Sequence, residues 1–165
     1  DLHQGGLRVP AIAKWPGRIE PRSVSDHVWA FWDFLPTAAE IAGAPCPSNI
    51  DGLSIVPTLT GTPGQKQHDV LYWEHGREQA MRLDDYWIYR HHPDEPIQVY
   101  HANDDKEEQH NLAPDRPDLV KKAEELFVSE RTQNLYCPDP WESNESWRVR
   151  VKDANVTLPH NVDTW

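Results

Sequence analysis

The chain has 165 residues, the size of one ordinary domain, and carries 27 acidic residues against 16 lysines and arginines, for a formal net charge of −11 at pH 7. The acidic balance and the lack of any basic run argue against a partner bound through phosphates, whether a nucleic acid or an anionic membrane surface. No stretch of about 18 apolar residues exists, which excludes a membrane-spanning helix, while eight tryptophans argue against disorder.

The two cysteines, Cys46 and Cys137, lie far apart and outside any Cys-x-x-Cys spacing. This spacing predicts neither a disulfide framework nor a structural zinc site. The chain begins at Asp1 without a charged and then apolar leader, so any signal peptide is expected upstream or not at all.

The first 17 residues predict a loop, a strand and a turn. Gly5 and Gly6 favour a loop, the apolar stretch from Val9 favours a short strand, and Pro16-Gly17 favours a turn. Pro10 suits only a strand start or an edge, so this strand is expected to pair with something outside the segment.

Asp33 is predicted to cap a helix that runs to about Ala42, with Pro36 in its first turn and Gly43 as its stop. A linker rich in glycine and proline follows at residues 61–65 and marks the clearest boundary in the chain.

Four short β-type runs separated by turn-forming residues come next, at Val70–Glu74, Gln79–Leu83, Tyr86–Arg90 and Ile97–His101. They predict an antiparallel meander. Pro117–Glu130 has apolar residues on one face and charges opposite, which predicts a helix covering one face of that sheet. Residues 131–165 show no sustained period and predict an irregular, tryptophan-rich arm.

A series of short motifs runs through about the first 130 residues in a fixed order. It comprises Gly5-Gly6-Leu7-Arg8-Val9-Pro10, Trp15-Pro16-Gly17, Ser25-Asp26-His27, Asp33-Phe34-Leu35-Pro36-Thr37, Ile41-Ala42-Gly43, Asp51-Gly52-Leu53-Ser54, Leu71-Tyr72-Trp73-Glu74, Ala80-Met81-Arg82 and Asn111-Leu112-Ala113. In order and spacing the series resembles the second half of type I sulfatases, which are arylsulfatase-like members of the alkaline-phosphatase superfamily.

The resemblance implies an α/β fold, α+β within this piece: the C-terminal part of an alkaline-phosphatase-like fold, with a four-stranded antiparallel sheet packed on one helix. Residues 1–64 would be a piece of the large catalytic domain, residues 65–130 the C-terminal subdomain, and residues 131–165 an added arm. The parent would be a sulfuric-ester hydrolase acting on an aryl sulfate or a sulfated carbohydrate, in the periplasm or outside the cell.

The resemblance also implies calcium and a formylglycine nucleophile for the full-length parent. Formylglycine is made in a Cys/Ser-x-Pro-x-Arg segment, which this sequence lacks; Cys46 has neither the proline nor the arginine at the required positions. The family's calcium-binding Asp-Asn pair and sulfate-contacting lysine are expected before Asp1. The chain by itself is therefore expected to hold no catalytic residue, metal ligand or cofactor and to be inactive.

In such enzymes the C-terminal subdomain forms a wall of the substrate cleft, which makes three residues candidate substrate contacts. His75 could hydrogen-bond a sugar hydroxyl or a sulfate, and Arg77 could pair with an anionic group. His3 lies where the family loop approaches the active-site lysine. An exposed turn histidine, a solvated arginine and a residue outside the cleft are the respective alternatives. Arg8 is expected to be structural, satisfying carbonyls around the Gly5-Gly6 turn.

Other polar and aromatic groups favour structural roles. His91 and His92 are adjacent in a strand and point to opposite faces, so they are not expected to bind one metal ion. The charge run Asp104–Glu108 favours a solvated loop, and the strand aromatics favour core and cross-strand pairs.

Two other functions stay open. One is a phosphodiesterase or phosphonate hydrolase of the same superfamily, and the other is a non-catalytic module that binds glycans or another protein. The expected partner is a sulfated small molecule or a sulfated glycan, and an exposed sheet edge would allow self-association.

Overall fold

The computed structural model describes residues 2–133 and 139–154. The chain divides into two compact units: Pro10–Leu71 forms one, and the residues before Pro10 join those from Tyr72 onward in the other. Among the described residues, no helix is both long enough and apolar enough to cross a membrane. Cys46 is exposed as a free thiol, whereas Cys137 lies outside the described residues.

The predicted antiparallel meander is confirmed. Its strands are β1 (Val70–His75), β2 (Glu78–Leu83), β3 (Tyr86–Arg90) and β4 (Gln98–His101), and they lie in chain order across a four-stranded sheet. The β2–β3 register pairs Ala80 with Tyr89. Gly76 makes the β1–β2 turn with a φ of 61°, a left-handed conformation that glycine adopts without steric cost.

Helix α4 (Pro117–Ser129) covers one face of the sheet, as its amphipathic pattern predicts. Ala123 and Phe127 are fully buried. The Phe127 carbonyl accepts a hydrogen bond from the buried Gln79 side chain at 3.4 Å. The Arg90 guanidinium lies 4.6 Å from the centre of the Phe127 ring. The helix is therefore attached to the sheet by apolar burial and by a polar network around Gln79.

The other face is covered by the start of the chain, which the sequence did not predict. Leu2 is buried in a cluster with side chains from this face, and Leu7 packs against the same cluster; the strand-derived members are Trp73, Ala80, Trp87, Tyr89 and Tyr100. The expected loop at Gly5-Gly6 is instead the short helix α1 (Gln4–Leu7). Burial of the two leucines gives this segment an apolar anchor, so it folds as part of the sheet unit.

The predicted irregular arm is corrected in part, because Asn144–Asp153 forms helix α5. The Ser143 hydroxyl caps this helix by accepting a hydrogen bond from the Ser146 backbone at 3.1 Å. Trp147 and Val151 are buried one turn apart. This spacing of four residues places both side chains on one face, a periodicity too short to recognise in the sequence.

The unit Pro10–Leu71 contains a short 3-10 helix at Phe31–Asp33, followed by helices α2 (Phe34–Ala42) and α3 (Val56–Thr60). Helix α2 confirms the predicted helix, and Gly43 ends it in the left-handed conformation. The strand predicted from Val9 is wrong for this structure. Residues 9–15 adopt no regular structure, because a strand needs a neighbouring strand to satisfy its backbone groups.

Candidate substrate-contact site

The candidate site lies in the sheet unit and begins with the backbone of the first residues. Two carboxylates accept hydrogen bonds from this backbone: Glu78 from Leu2 N–H at 3.2 Å and Glu108 from Gln4 N–H at 2.7 Å. With Leu2 buried beneath them, these bonds fix the segment on the sheet. His3, between the two anchored residues, is held above the sheet face with 42% of its side chain exposed.

The His3 imidazole is oriented by two neighbours. Its Nδ1 makes a short contact with the Glu108 carboxylate, whose side chain is only 8% exposed. Its ring lies 4.3 Å from the Tyr89 ring, centroid to centroid. The contact with the Glu108 carboxylate and the ring contact with Tyr89 together restrict the orientation of the imidazole. The arrangement therefore presents a pre-oriented imidazole at a partly exposed position.

Tyr89 provides a neutral floor for this imidazole. Burial raises the pKa of Tyr89 to about 12, and the carboxylates of Glu78 and Glu108 contribute to the increase. The hydroxyl lies 3.2 Å from His91 Nδ1, and the same nitrogen lies 3.1 Å from Glu78. The phenol thus stays protonated at physiological pH.

His75 and Arg77 flank Gly76 in the β1–β2 turn, and both are exposed. Arg77 donates to His92 Nε2 at 2.6 Å and to the Glu142 carbonyl at 3.1 Å. It is therefore bound by neighbouring groups and not solely by water. The antiparallel register places the β1–β2 turn at the end of the sheet where β3 finishes. Tyr89, which lies beneath His3, is the second-last residue of β3 and so belongs to the same end of the sheet.

The adjacent histidines have different partners. His91 lies by Glu78, whereas His92 lies between Arg77 and Asp94, with its Nδ1 at 3.3 Å from the Asp94 carboxylate. Within residues 2–133 and 139–154, no group of three or more histidine, cysteine or acidic side chains is arranged to hold a metal ion. The described residues therefore do not fit the calcium ion that the sulfatase resemblance implies for the full-length parent.

Two expectations about single residues need correction. Glu108 closes a charge run that predicts a solvated loop, yet its side chain is buried and binds His3 and Gln4. Arg8 donates to the Ala102 carbonyl at 3.1 Å, just beyond β4, and not to carbonyls of the Gly5-Gly6 turn. No sequence signal identifies either contact, because each joins residues more than 90 positions apart.

The unit Pro10–Leu71 contains a separate buried polar cluster around Asp33. Its carboxylate accepts hydrogen bonds from Ala30 N–H at 2.8 Å and Leu53 N–H at 2.7 Å, and it lies 2.8 Å from His68 Nε2. The sequence predicts that Asp33 caps helix α2, but its side chain makes no capping hydrogen bond there. It instead joins three segments of the unit.

His27 lies near this cluster. Burial lowers the pKa of His27 and the charge of His68 acts in the same direction, although the charge of Asp33 opposes both. The Thr37 hydroxyl donates to the Asp33 carbonyl at 2.6 Å, and the Ser25 hydroxyl accepts from the His27 backbone N–H at 3.1 Å, so neither hydroxyl is bonded to a histidine ring. The buried Asp33 carboxylate, bonded to the backbone at Ala30 and Leu53, is therefore a structural clamp for this unit.

Comparison with protein families identifies the chain. Residues 2–132 match the model of the family N-sulphoglucosamine sulphohydrolase, C-terminal. The chain belongs to this sulfatase family. The match contains the sheet, helix α4 and His3, His75 and Arg77; helix α5 follows it.

Relatives of this sulfatase C-terminal region agree with the assignment. An uncharacterized sulfatase of Schizosaccharomyces pombe is 32% identical over an alignment of 142 residues, which covers 77% of this chain and 25% of the relative. The Ulvan-active sulfatase of Formosa agariphila is 46% identical over 56 residues, covering 34% of this chain and 11% of the relative. The chain thus spans about a quarter or less of these two relatives' length.

The fold of this sulfatase region is also found in a solved structure from work on glycosaminoglycan metabolism by Bacteroides thetaiotaomicron. The two superpose with a TM-score of 0.59 at 19% identity, over 72% of this chain and 28% of the other. The similarity establishes the predicted fold class, the C-terminal region of an alkaline-phosphatase-like fold. The identity is too low to carry a substrate from one protein to the other.

Proposed function

We propose that this chain is the substrate-recognition part of a sulfatase that hydrolyses sulfate esters of carbohydrates, in the periplasm or outside the cell. The single observation that carries the proposal is the pre-oriented His3 imidazole, held by Glu108 and packed on Tyr89 within the family match. A ring fixed in this way loses little conformational freedom when it binds a polar substrate group.

This chain has no Cys/Ser-x-Pro-x-Arg segment, so the role proposed for it is recognition of the substrate and not cleavage of the sulfate ester. His3 would hydrogen-bond a sugar hydroxyl. His75 and Arg77 would contact the substrate from the β1–β2 turn. Formylglycine and calcium belong to the parent protein in this proposal, where they would supply the nucleophile and neutralise developing charge.

Two features support a sulfated carbohydrate as the substrate. The name of the matched family contains a sulfated amino sugar, N-sulphoglucosamine, and the Formosa agariphila relative is named for activity on ulvan. An arginine and two histidines at one end of the sheet are suited to an anionic, hydroxyl-rich ligand, because a guanidinium forms charge-assisted bonds with sulfate oxygens and imidazole nitrogens hydrogen-bond hydroxyl groups.

The test is sulfate release by the longer protein that contains this sequence, measured on sulfated oligosaccharides. His3→Ala should raise KM about tenfold, which corresponds to about 1.4 kcal/mol, the size of effect expected for losing one hydrogen bond. His110→Ala is the matched control, since its side chain is 84% exposed and lies by Asp105. The 165-residue chain alone should release no sulfate.

Unchanged KM and kcat in His3→Ala would contradict the role of His3. Hydrolysis of phosphodiesters in preference to sulfate esters would instead support the superfamily alternative. Glycan binding by the longer protein without hydrolysis would support a non-catalytic module.

A further inference from the structure

Trp141 is a large apolar side chain that folding leaves exposed. More than half of it, 53%, is accessible to solvent, whereas Trp147 and Val151 of the neighbouring helix α5 are buried. Trp141 lies beyond residue 132, where the family match ends. An exposed tryptophan contributes little burial energy to the folded core, and its large aromatic face is accessible for contact with a ligand.

The Trp141 ring is held in place from one side. The Arg131 guanidinium lies 5.4 Å from the ring centre and is itself only 6% exposed. Arg131 forms an ion pair with Glu74 at 2.8 Å and a short ion pair with Asp139. A cation fixed by two carboxylates makes a rigid support, which orients the ring before any ligand arrives.

A second cation is bonded to the backbone of the segment that carries this ring. Arg77 is exposed and donates to the carbonyl of Glu142, the residue that follows Trp141. Consecutive Cα atoms are about 3.8 Å apart, so the Arg77 guanidinium is bound to the backbone one residue from the Trp141 position. An aromatic face with a guanidinium at its side offers stacking to a sugar ring and charge-assisted bonds to its sulfate.

The nearby carboxylates do not repel an anion. Glu142 is paired with Arg150 at 2.7 Å, and this hydrogen bond lowers the pKa of Glu142. Glu74 and Asp139 are both paired with Arg131. In a chain with a net charge of −11, this local neutralisation is what permits a sulfated ligand to approach.

We propose that Trp141 and Arg77 form an accessory contact for a sulfated sugar unit, with the pyranose stacked on the indole and its sulfate bound by the guanidinium. The choice of a sulfated sugar rests on the proposed function. The contact would read a sugar of an oligomeric substrate away from the bond that is cleaved, and so would favour chains over single sugars.

The test is calorimetric binding of a heparin-derived hexasaccharide, and of its desulfated counterpart, to the 165-residue chain at low ionic strength. Trp141→Ala should weaken the hexasaccharide Kd at least tenfold, and Trp141→Phe should restore most of the affinity. Arg77→Gln should weaken binding of the sulfated sugar but not of the desulfated one. Phe31→Ala is the matched control, because Phe31 is an exposed aromatic, at 83%, in the other unit.

A wild-type chain that does not bind the hexasaccharide, or a Trp141→Ala variant that binds within twofold of wild type, would overturn the proposal. If Trp141→Ala unfolds, oxidative footprinting of the wild-type chain replaces it: protection of Trp141 by the hexasaccharide supports the contact, and unchanged oxidation refutes it. These readouts are binding alone. Failure of the longer protein to release sulfate would therefore refute the proposed function but would leave the binding results for Trp141 and Arg77 unchanged.

Discussion

Glu108 accepts a hydrogen bond from the Gln4 backbone at 2.7 Å, across 104 positions of sequence. The same carboxylate contacts His3. One buried side chain thus joins the start of the chain to the loop that follows β4, and it also sets the orientation of the candidate substrate-contacting imidazole.

Glu108→Gln should therefore loosen the first residues without unfolding the sheet. The amide can still accept one hydrogen bond, but the charge-assisted contact with His3 is lost, at a cost of about 1–3 kcal/mol in unfolding free energy. Hydrogen exchange should show faster exchange of the Gln4 amide. Glu107→Gln, an exposed neighbour, is the control and should leave that exchange rate unchanged. Equal exchange in both variants would show that Glu108 does not hold the segment.

Asp33→Asn should destabilise the unit Pro10–Leu71. The asparagine amide places a donor where backbone N–H groups and His68 now meet a carboxylate, and an unsatisfied buried group costs about 1–3 kcal/mol. We expect a loss of about 1–3 kcal/mol, seen as reduced exchange protection of the Ala30 and Leu53 amides. Asp51→Asn, at an exposed position, is the control. Retained protection in Asp33→Asn would rule out the clamp.

The stability of the same unit should fall with acidification, and His27 should contribute to that fall. The pKa of His27 in the folded chain lies below its ordinary value of 6.5, mainly because of burial. As the pH falls past 6.5, the unfolded chain binds a proton before the folded one does, so the stabilisation present above this pH is lost.

The measurement for His27 is the unfolding free energy between pH 7.5 and pH 5, compared for wild type and His27→Gln. The variant should show a shallower decline with falling pH, because it has no proton to bind at this position. Val28→Ala, at the residue after His27, is the control and should keep the wild-type slope, because valine binds no proton. A wild-type slope in His27→Gln would contradict the prediction.

Phe127→Ala should destabilise the sheet unit by about 3–5 kcal/mol, the usual cost of removing a buried aromatic ring. Phe127 is fully buried and also supports the Arg90 guanidinium. Val128→Ala, on the next residue and 63% exposed, should change stability by no more than about 0.5 kcal/mol. Urea unfolding followed by circular dichroism separates the two, and similar midpoints would refute the assigned packing of helix α4.

The sequence by itself determined the local elements and the family. Alternating apolar residues and turn residues placed the four strands, and the face-specific pattern of α4 placed its packing, because these signals depend on residues close in sequence. The ordered motifs pointed to a sulfatase C-terminal region, which the match over residues 2–132 established.

Only the tertiary structure decided which distant residues meet. It placed the first residues on the sheet, buried Glu108 beside His3, and exposed Trp141 next to Arg131. It also showed no strand at residues 9–15, where the sequence had predicted one. Such contacts depend on how the segments fold together in space, and the charge or hydropathy of neighbouring residues does not encode them.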